Sequence, residues 1–321
     1  MRFVLLLAAA ALFAMPSQSA SAIVIADGGS HVVNESNPFP YEAIEVANDS
    51  ISGDPTLVEV TAAGLVTLAS SITTRGTSMV TISGGLVGAL GILENGRMEM
   101  LSGHASTVFG NNDSQLTLSG GRIGTTLNGF GNANFEVRGG AIGGTARMGD
   151  SSTLRVTAGT LSAIRVMNNA VAEIHGGTIE GIALSNDDPG FLAHAIVRGG
   201  TFGVPLLPMT SLPGLSTDTD GLITIYGSSF NYPFGDLVPF SGTLAGVLSD
   251  GSPLHVSFYR GASNGGPRSD GRITLVELLP VPEPSAGTLV GVTLVISSAT
   301  SAHRRTGRGR DASHVNDSQP I

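Results

Sequence analysis

The middle of the chain repeats one short pattern of apolar and polar residues. The pattern is an apolar, a polar, an apolar and a polar residue, then a small residue, a glycine, any residue and an apolar residue. The copies begin at Val80, Met98, Leu116, Phe135, Leu154, Ala172 and Ala195, with a weaker one at Val58. The glycine recurs at positions 85, 103, 121, 140, 159, 177 and 200, so the step is 18 or 19 residues until a last step of 23. Such a period is typical of repeat architectures.

Each copy predicts a short β-strand followed by a turn. Because side chains alternate across a strand, the first two apolar residues share one face and are expected to point into a core. The clearest pairs are Val80 and Ile82, Leu116 and Leu118, Phe135 and Val137, and Leu154 and Val156. Between such pairs, on the solvent side, we expect Thr81, Glu99, Thr117, Glu136, Arg155 and Glu173.

Two turns close each predicted coil. Glycine accepts positive φ, so the glycine turns the chain, and an apolar side chain then re-enters the core. These re-entering residues are Val87, Ile123, Ile142, Leu161, Ile179 and Phe202. Asn and Asp tolerate left-handed backbone and indicate the second turn. They occur at Asn95, Asn112, Asn132, Asp150, Asn169 and Asn186.

This pattern predicts an all-β fold, a single-stranded parallel β-helix with about 18–19 residues per coil. A helical interpretation fails, because apolar residues do not recur at three and four and glycine interrupts every candidate helix. The solenoid repeats are expected over residues 57–203, after an N-terminal cap at 23–56. A β-rich C-terminal cap is expected at 204–280, with strands over 222–226, 243–248, 254–258 and 273–276.

Composition excludes several classes of protein. Cysteine is absent, which excludes a disulfide scaffold and a cysteine zinc site. Residues 23–285 hold 11 arginines and 23 acidic residues, and 11 − 23 gives a net charge of −12. Phosphate backbones need a basic face, so we expect no nucleic-acid partner.

The first 22 residues are typical of a secretory signal peptide. Arg2 supplies the positive charge, residues 3–15 are apolar, and Ala20 and Ala22 fit the small-residue rule for cleavage. Signal peptidase is therefore an expected partner, and the mature chain is expected to begin at Ile23.

The C-terminus combines three features in order. Pro282, Glu283 and Pro284 come first, and residues 286–302 then carry no charge. A positive cluster follows, made of Arg304, Arg305, Arg308 and Arg310. The uncharged stretch is long enough for a transmembrane helix, and the arginines are expected to stay in the cytoplasm.

Residues 281–321 thus resemble the PEP-CTERM sorting domain of Gram-negative bacteria, whose signature is Pro282-Glu283-Pro284. The resemblance implies that an exosortase recognises this segment after export. It also implies delivery to the cell envelope, outer surface or extracellular matrix, with the C-terminal helix as a transient or permanent inner-membrane anchor. Such proteins occur in species that make exopolysaccharide, so exopolysaccharide or another surface glycan is an expected partner.

Candidate catalytic and metal sites are weak. Glu99, Glu136 and Glu173 recur in alternate coils with Arg155 near them, which suits a solvated strand face with a cross-coil ion pair better than a carboxylate pair for hydrolysis. A G-x-S-x-G match at 261–265 lies in a loop-forming sequence rather than at a strand-to-helix turn. Asp187-Asp188 and Asp218-Thr219-Asp220-Gly221 lack the remaining ligands of a calcium loop. We assign no catalytic residue, no metal and no cofactor.

The sequence therefore predicts an exported, exosortase-sorted structural or adhesive protein of the cell surface or extracellular matrix, without catalytic activity. The alternative is a polysaccharide-active enzyme or a carbohydrate-binding module on the same β-helix scaffold, because fold alone does not choose between them. A groove with clustered acids and aromatic residues would favour the alternative, and aromatic residues are only 5% of the chain.

Overall fold

A computed structural model describes residues 22–34, 36, 39–62, 67–186, 190–203, 214–217, 220–261 and 271–278. All of them belong to one compact unit that ends at Leu278. Over these residues the chain forms 21 β-strands and no helix.

The strands follow one another with short connections. In chain order they are β1 Ile23–Ile25, β2 Ser30–Val33, β3 Phe39–Val46, β4 Leu57–Val60, β5 Thr67–Thr74, β6 Met79–Ile92, β7 Arg97–Gly110, β8 Gln115–Leu118, β9 Arg122–Gly129, β10 Asn134–Val137, β11 Ala141–Met148, β12 Thr153–Val156, β13 Thr160–Met167, β14 Val171–Ser185, β15 His194–Phe202, β16 Gly214–Thr217, β17 Leu222–Ser228, β18 Gly235–Asp236, β19 Ser241–Leu248, β20 Pro253–Arg260 and β21 Arg272–Glu277.

Two parallel ladders of strands run along the molecule. Each coil adds one short strand to ladder A, as β8, β10 and β12 do, and one longer strand to ladder B, as β9, β11 and β13 do. The long strands β6, β7 and β14 pass from ladder A into ladder B, so all strands join one continuous sheet. The result is a parallel β-solenoid of about nine turns, which confirms the predicted solenoid body.

The core lies between the two ladders, and the predicted inward residues line it. Within ladder A, Phe135 pairs in register with Leu116 of the preceding coil and Leu154 of the next. The predicted pairs are at most 2% exposed, and the re-entering residues of ladder B are at most 5% exposed. Alternation along each strand therefore sorts this sequence into a dry interior and a polar exterior.

Glycine is required at the corner between ladders A and B. The repeated glycine has positive φ in every copy, from 74° at Gly140 to 103° at Gly200. A Cβ at Gly140 would lie 2.7 Å from the carbonyl oxygen of Gly121 in the preceding coil. Both the left-handed backbone and the close stacking of coils therefore exclude an ordinary side chain here.

The second corner also contains a left-handed residue, but often one position earlier than expected. Asn112 and Asp150 have positive φ, as predicted. In three coils the left-handed residue precedes the predicted one, at Glu94, Gly131 and Asn168, and at Asn186 the predicted positive φ is not found. Two adjacent polar residues can each occupy such a corner, and the pattern of residue types does not say which one takes positive φ.

One large core side chain packs against two glycines of the opposite ladder. Phe135 is fully buried. A Cβ at Gly110 would lie 2.4 Å from Cζ of Phe135, and one at Gly129 would lie 3.0 Å from its Cε2. The ring thus fills space that these two glycines of ladder B leave free.

The parallel stack extends to both ends of the described unit. Near the N-terminus, β1 pairs in parallel with β3, and β2 pairs in parallel with β4. Near the C-terminus, β17 pairs in parallel with β15, and β21 continues that ladder. The antiparallel hairpin of β19 and β20 lies at this end, and its β20 continues ladder B by pairing with β16.

The turn of this hairpin is fastened to the last glycine corner of the repeat. The Asp250 carboxylate accepts hydrogen bonds from the backbone N–H of Gly200 at 2.9 Å and of Ser252 at 2.9 Å. The Ser252 hydroxyl also donates to the Gly200 carbonyl at 2.9 Å. Partial burial raises the pKa of Asp250, but the hydrogen bonds from Ser252 and Gly200 outweigh it and leave that pKa below its ordinary value.

Replacing Asp250 by asparagine is expected to weaken this attachment by about 1–3 kcal/mol, because the corner loses a charge-assisted acceptor. The folded state favours the ionised carboxylate, so its contribution is present at neutral pH and is lost as the pH falls through the lowered pKa, below about pH 4. Thermal unfolding of both proteins from pH 7 to pH 3 measures this, and the difference in Tm should shrink with the pH. An equal difference at every pH would contradict the role given to the charge.

Candidate binding faces of the solenoid

The glutamates singled out in the sequence form a column on the outer side of ladder A. In successive coils the register runs from Glu99 through Thr117 to Glu136, and then through Arg155 to Glu173. Glu136 and Glu173 are therefore two strand spacings apart, about 10 Å. The column is solvated, as expected.

The ion pair in this column differs from the expected cross-coil pair. The Glu136 carboxylate accepts a hydrogen bond from the guanidinium of Arg138, in its own coil, at 2.7 Å. That hydrogen bond lowers the pKa of Glu136, and the positive charge of Arg155 lowers it further. Oε2 of Glu173 lies 3.5 Å from Nε2 of His175. The arrangement keeps Glu136 ionised, whereas a general acid needs a raised pKa.

The other residues proposed from the sequence fall mainly outside the described parts of the chain. This holds for Ala20, for Pro282, Glu283 and Pro284, and for the arginines of the C-terminal cluster. Ala22 is the first described residue and is exposed. Of the G-x-S-x-G match only Gly261 is described, and of the two Asp-rich segments only Asp220 and Gly221.

The described ranges offer neither a metal site nor a membrane-spanning helix. Within them, no group of three or more His, Cys, Asp or Glu side chains is placed to hold a metal ion. Nor does any helix among the described residues have the length and apolar character needed to cross a membrane.

On a second face, the outer side of ladder B, the exposed charged side chains from β5 to the end of β14 are arginines. Arg147 and Arg165 are register partners in adjacent strands, and both are exposed. Arg122 is exposed on the strand before them. From β5 to the end of β14, the strands of ladder B carry no exposed carboxylate, since Glu180 is 2% exposed. Ladder A therefore carries charges of both signs, whereas ladder B is basic over these strands.

The two arginines border a shallow depression of about 180 Å³. Its floor consists of small residues, including Thr145, Ala163 and Gly181, and Arg147 and Arg165 form one side. Nε of Arg165 donates to the Ser185 hydroxyl at 3.1 Å. Among the described residues no carboxylate forms an ion pair with either arginine.

An aromatic ring and an amide continue this face toward the N-terminus. A Cβ at Gly149 would lie 2.7 Å from Cδ1 of Phe130, so the ring lies over Gly149 beside Arg147. Asn128 is the register partner of Arg147 in the preceding strand. The nearby Asp150 carboxylate is engaged at the corner, where it accepts a hydrogen bond from the Gly131 N–H at 3.0 Å.

This arginine pair is not among the residues predicted from the sequence, although the sequence contains a signal for it. Arg147 and Arg165 each follow an inward apolar residue and precede another, in Ala146-Arg147-Met148 and Ile164-Arg165-Val166. These segments belong to the second half of the coil, where the repeat is less regular than at the glycine pair. Only the register of ladder B shows that Arg147 and Arg165 are neighbours.

Comparison of the chain with protein-family models, with curated proteins and with solved structures gives no match in any of the three.

Proposed function

We propose that this protein is an exported structural or adhesive component of the cell surface or extracellular matrix, sorted by an exosortase. The observation that carries the proposal is the in-register parallel stack, which aligns outward side chains of successive coils into continuous columns. Such a body suits presentation of polar faces to a partner rather than enclosure of a substrate.

The stack supports a mechanical role because its coils are joined by both packing and hydrogen bonds. Each coil buries several large apolar side chains, at about 1.5–3 kcal/mol each before the entropy cost. Parallel backbone ladders connect it to both neighbours. Repeat proteins of this kind are stabilised mainly by contacts between neighbouring repeats.

Glu136 does not have the character of an acid for glycoside cleavage. Its pKa is lowered by Arg138, opposite to the shift that an acid for glycoside cleavage requires. The alternative, a polysaccharide-active enzyme on the same scaffold, would need its acid elsewhere. A glycan-binding role without cleavage needs no such group and agrees with the adhesive proposal.

The proposed route to the surface is supported by the order of features at the two ends of the sequence. A signal peptide at residues 1–22 would open the export route, and signal peptidase would remove it. Pro282-Glu283-Pro284, the uncharged stretch and the arginines would then present the sorting signal at the inner membrane.

Intact mass spectrometry of the protein from its native host tests this route. We expect a surface species that begins at Ile23 and ends near Pro282–Ser285, or that carries added mass there. Replacing Pro282, Glu283 and Pro284 together by alanine should leave an inner-membrane species that ends at Ile321. The matched control, Pro280→Ala, should be sorted normally. A natural chain that keeps its arginine tail in the inner membrane would refute sorting by an exosortase.

A further inference from the structure

We propose that the outer face of ladder B around Arg147 and Arg165 binds a linear polysaccharide that carries carboxylates, such as a polyuronate. This inference rests on the proposed surface role and gives it a partner of defined chemistry. The binding face consists of Arg147 and Arg165 with Thr145, Phe130 and Asn128 around them.

The positive charges of Arg147 and Arg165 repel each other in the isolated protein. Register partners in neighbouring strands are about 4.8 Å apart, and like charges at that position destabilise a sheet. Neither guanidinium has a carboxylate within ion-pair distance in the described residues, although the body is rich in acids. An anionic ligand would remove this repulsion.

The charge distribution directs an anionic polymer to this face. Residues 23–285 have a net charge of −12, from 11 arginines and 23 acids. Ladder A exposes glutamates together with Arg97, Arg138 and Arg155, so its charges largely cancel. The exposed charges on the strands of ladder B from β5 to β14 are arginines alone. Complementary charge therefore favours the encounter with ladder B, where no carboxylate competes for the arginines.

The detailed chemistry matches carboxylated sugars. A guanidinium can hold a carboxylate through two parallel hydrogen bonds, and the spacing of the two arginines is comparable with the length of one sugar residue. The Thr145 hydroxyl and the Asn128 amide can bond sugar hydroxyls, and the Phe130 ring offers an apolar surface to a sugar face. Nucleic acid fits less well, because its binding proteins commonly make about 6–10 phosphate contacts.

Binding of the full-length protein to immobilised polygalacturonate and polymannuronate tests the proposal. We expect binding that weakens with salt, and no binding to fully methyl-esterified polygalacturonate, whose carboxylates are neutral. The double variant Arg147→Gln/Arg165→Gln should raise the Kd about 10-fold or more, because each lost arginine removes a charge-assisted contact.

The matched control is Arg97→Gln/Arg155→Gln, which removes two arginines from ladder A and leaves ladder B unchanged. All variants keep the arginines of the C-terminal tail, so a difference in Kd between them measures the contribution of the ladder B arginines to binding. The ladder B variant should also melt at the same temperature as the natural protein or higher, because its repulsion is removed. Failure to bind either polyuronate, or equal loss in both variants, would overturn the proposal.

This binding experiment does not depend on sorting. A protein that reaches the surface but ignores polyuronates would refute the glycan face and leave the proposed surface role intact. A protein that binds polyuronates but keeps its tail in the inner membrane would support the glycan face and refute sorting by an exosortase. Binding of single-stranded oligonucleotides as tightly as polyuronates would also overturn the assignment to a glycan.

Discussion

Replacing Gly140 by alanine is expected to lower the free energy of unfolding by about 3 kcal/mol or more. Left-handed backbone costs a residue with a Cβ about 1–2 kcal/mol, and the steric term adds to it. The new Cβ would lie 2.7 Å from the Gly121 carbonyl oxygen and 2.9 Å from the Gly120 carbonyl carbon. Both are backbone atoms in a hydrogen-bonded coil, so neither can move away as a side chain would.

Gly53→Ala is the matched control for this change. Gly53 has φ of 76°, almost the same as the 74° of Gly140, but a Cβ there would have no atom within 4 Å beyond its chain neighbours. We expect it to cost only the backbone term, about 1–2 kcal/mol. Chemical denaturation of the two variants measures the difference, which is the cost of stacking coils closely at the glycine corner. Equal losses would show that coil stacking imposes no steric demand at Gly140.

Truncating Phe135 to alanine is expected to cost about 3–5 kcal/mol, the usual range for a buried phenylalanine. The ring is fully buried, and on the opposite ladder it faces Gly110 and Gly129, which have no side chain to move into the cavity. The matched change Phe109→Ala removes a ring that is 39% exposed and should cost much less. Equilibrium unfolding in denaturant gives both values.

A double-mutant cycle can attribute this cost to the packing of ring against glycine. Gly110→Ala alone should destabilise the protein, because its Cβ would lie 2.4 Å from Cζ of Phe135. In the Phe135→Ala background the same change should cost less, since the ring is gone. Part of the cost should persist, because the new Cβ would also lie 2.7 Å from Oγ of Ser114. Additive losses would mean that the two positions do not interact.

The first half of each coil could be predicted because one physical constraint acts in every copy. A glycine corner with positive φ fixes the position of the strand before it, and alternation then determines which residues are buried. Val80, Ile82 and Leu116 are expected in the core on this basis, and each is at most 2% exposed.

The second half of the coil could be predicted less well, because several residue types can adopt the left-handed backbone of the second corner. Glu94 and Asn168 take the left-handed position that is expected at the residues after them. In ladder B, the register shifts between Ile142 and Thr145, where two glycines of one strand face one residue of the next. A bulge of this kind obscures the column that aligns Arg147 with Arg165.

Features that depend on distant parts of the chain could not be inferred from a local pattern. Asp250 bonds Gly200 across 50 residues, and only the folded hairpin brings them together. The predicted cross-coil ion pair of Arg155 with a glutamate is not found among the described residues. Arg155 is the register neighbour of Glu136, but Arg138 reaches the carboxylate from the same coil.

The repeated glycine corner also means that the length of the solenoid is set by the number of its coils. Between Gly121 and Gly140 lies one complete coil, which enters and leaves the stack at the same place in the cross-section. Removing residues 122–140 would join equivalent corners and shorten the solenoid by about 4.8 Å. Duplicating them would lengthen it by the same amount. The length of the solenoid can thus change only by whole coils. Each coil that is added or removed adds or removes one residue in every outward column.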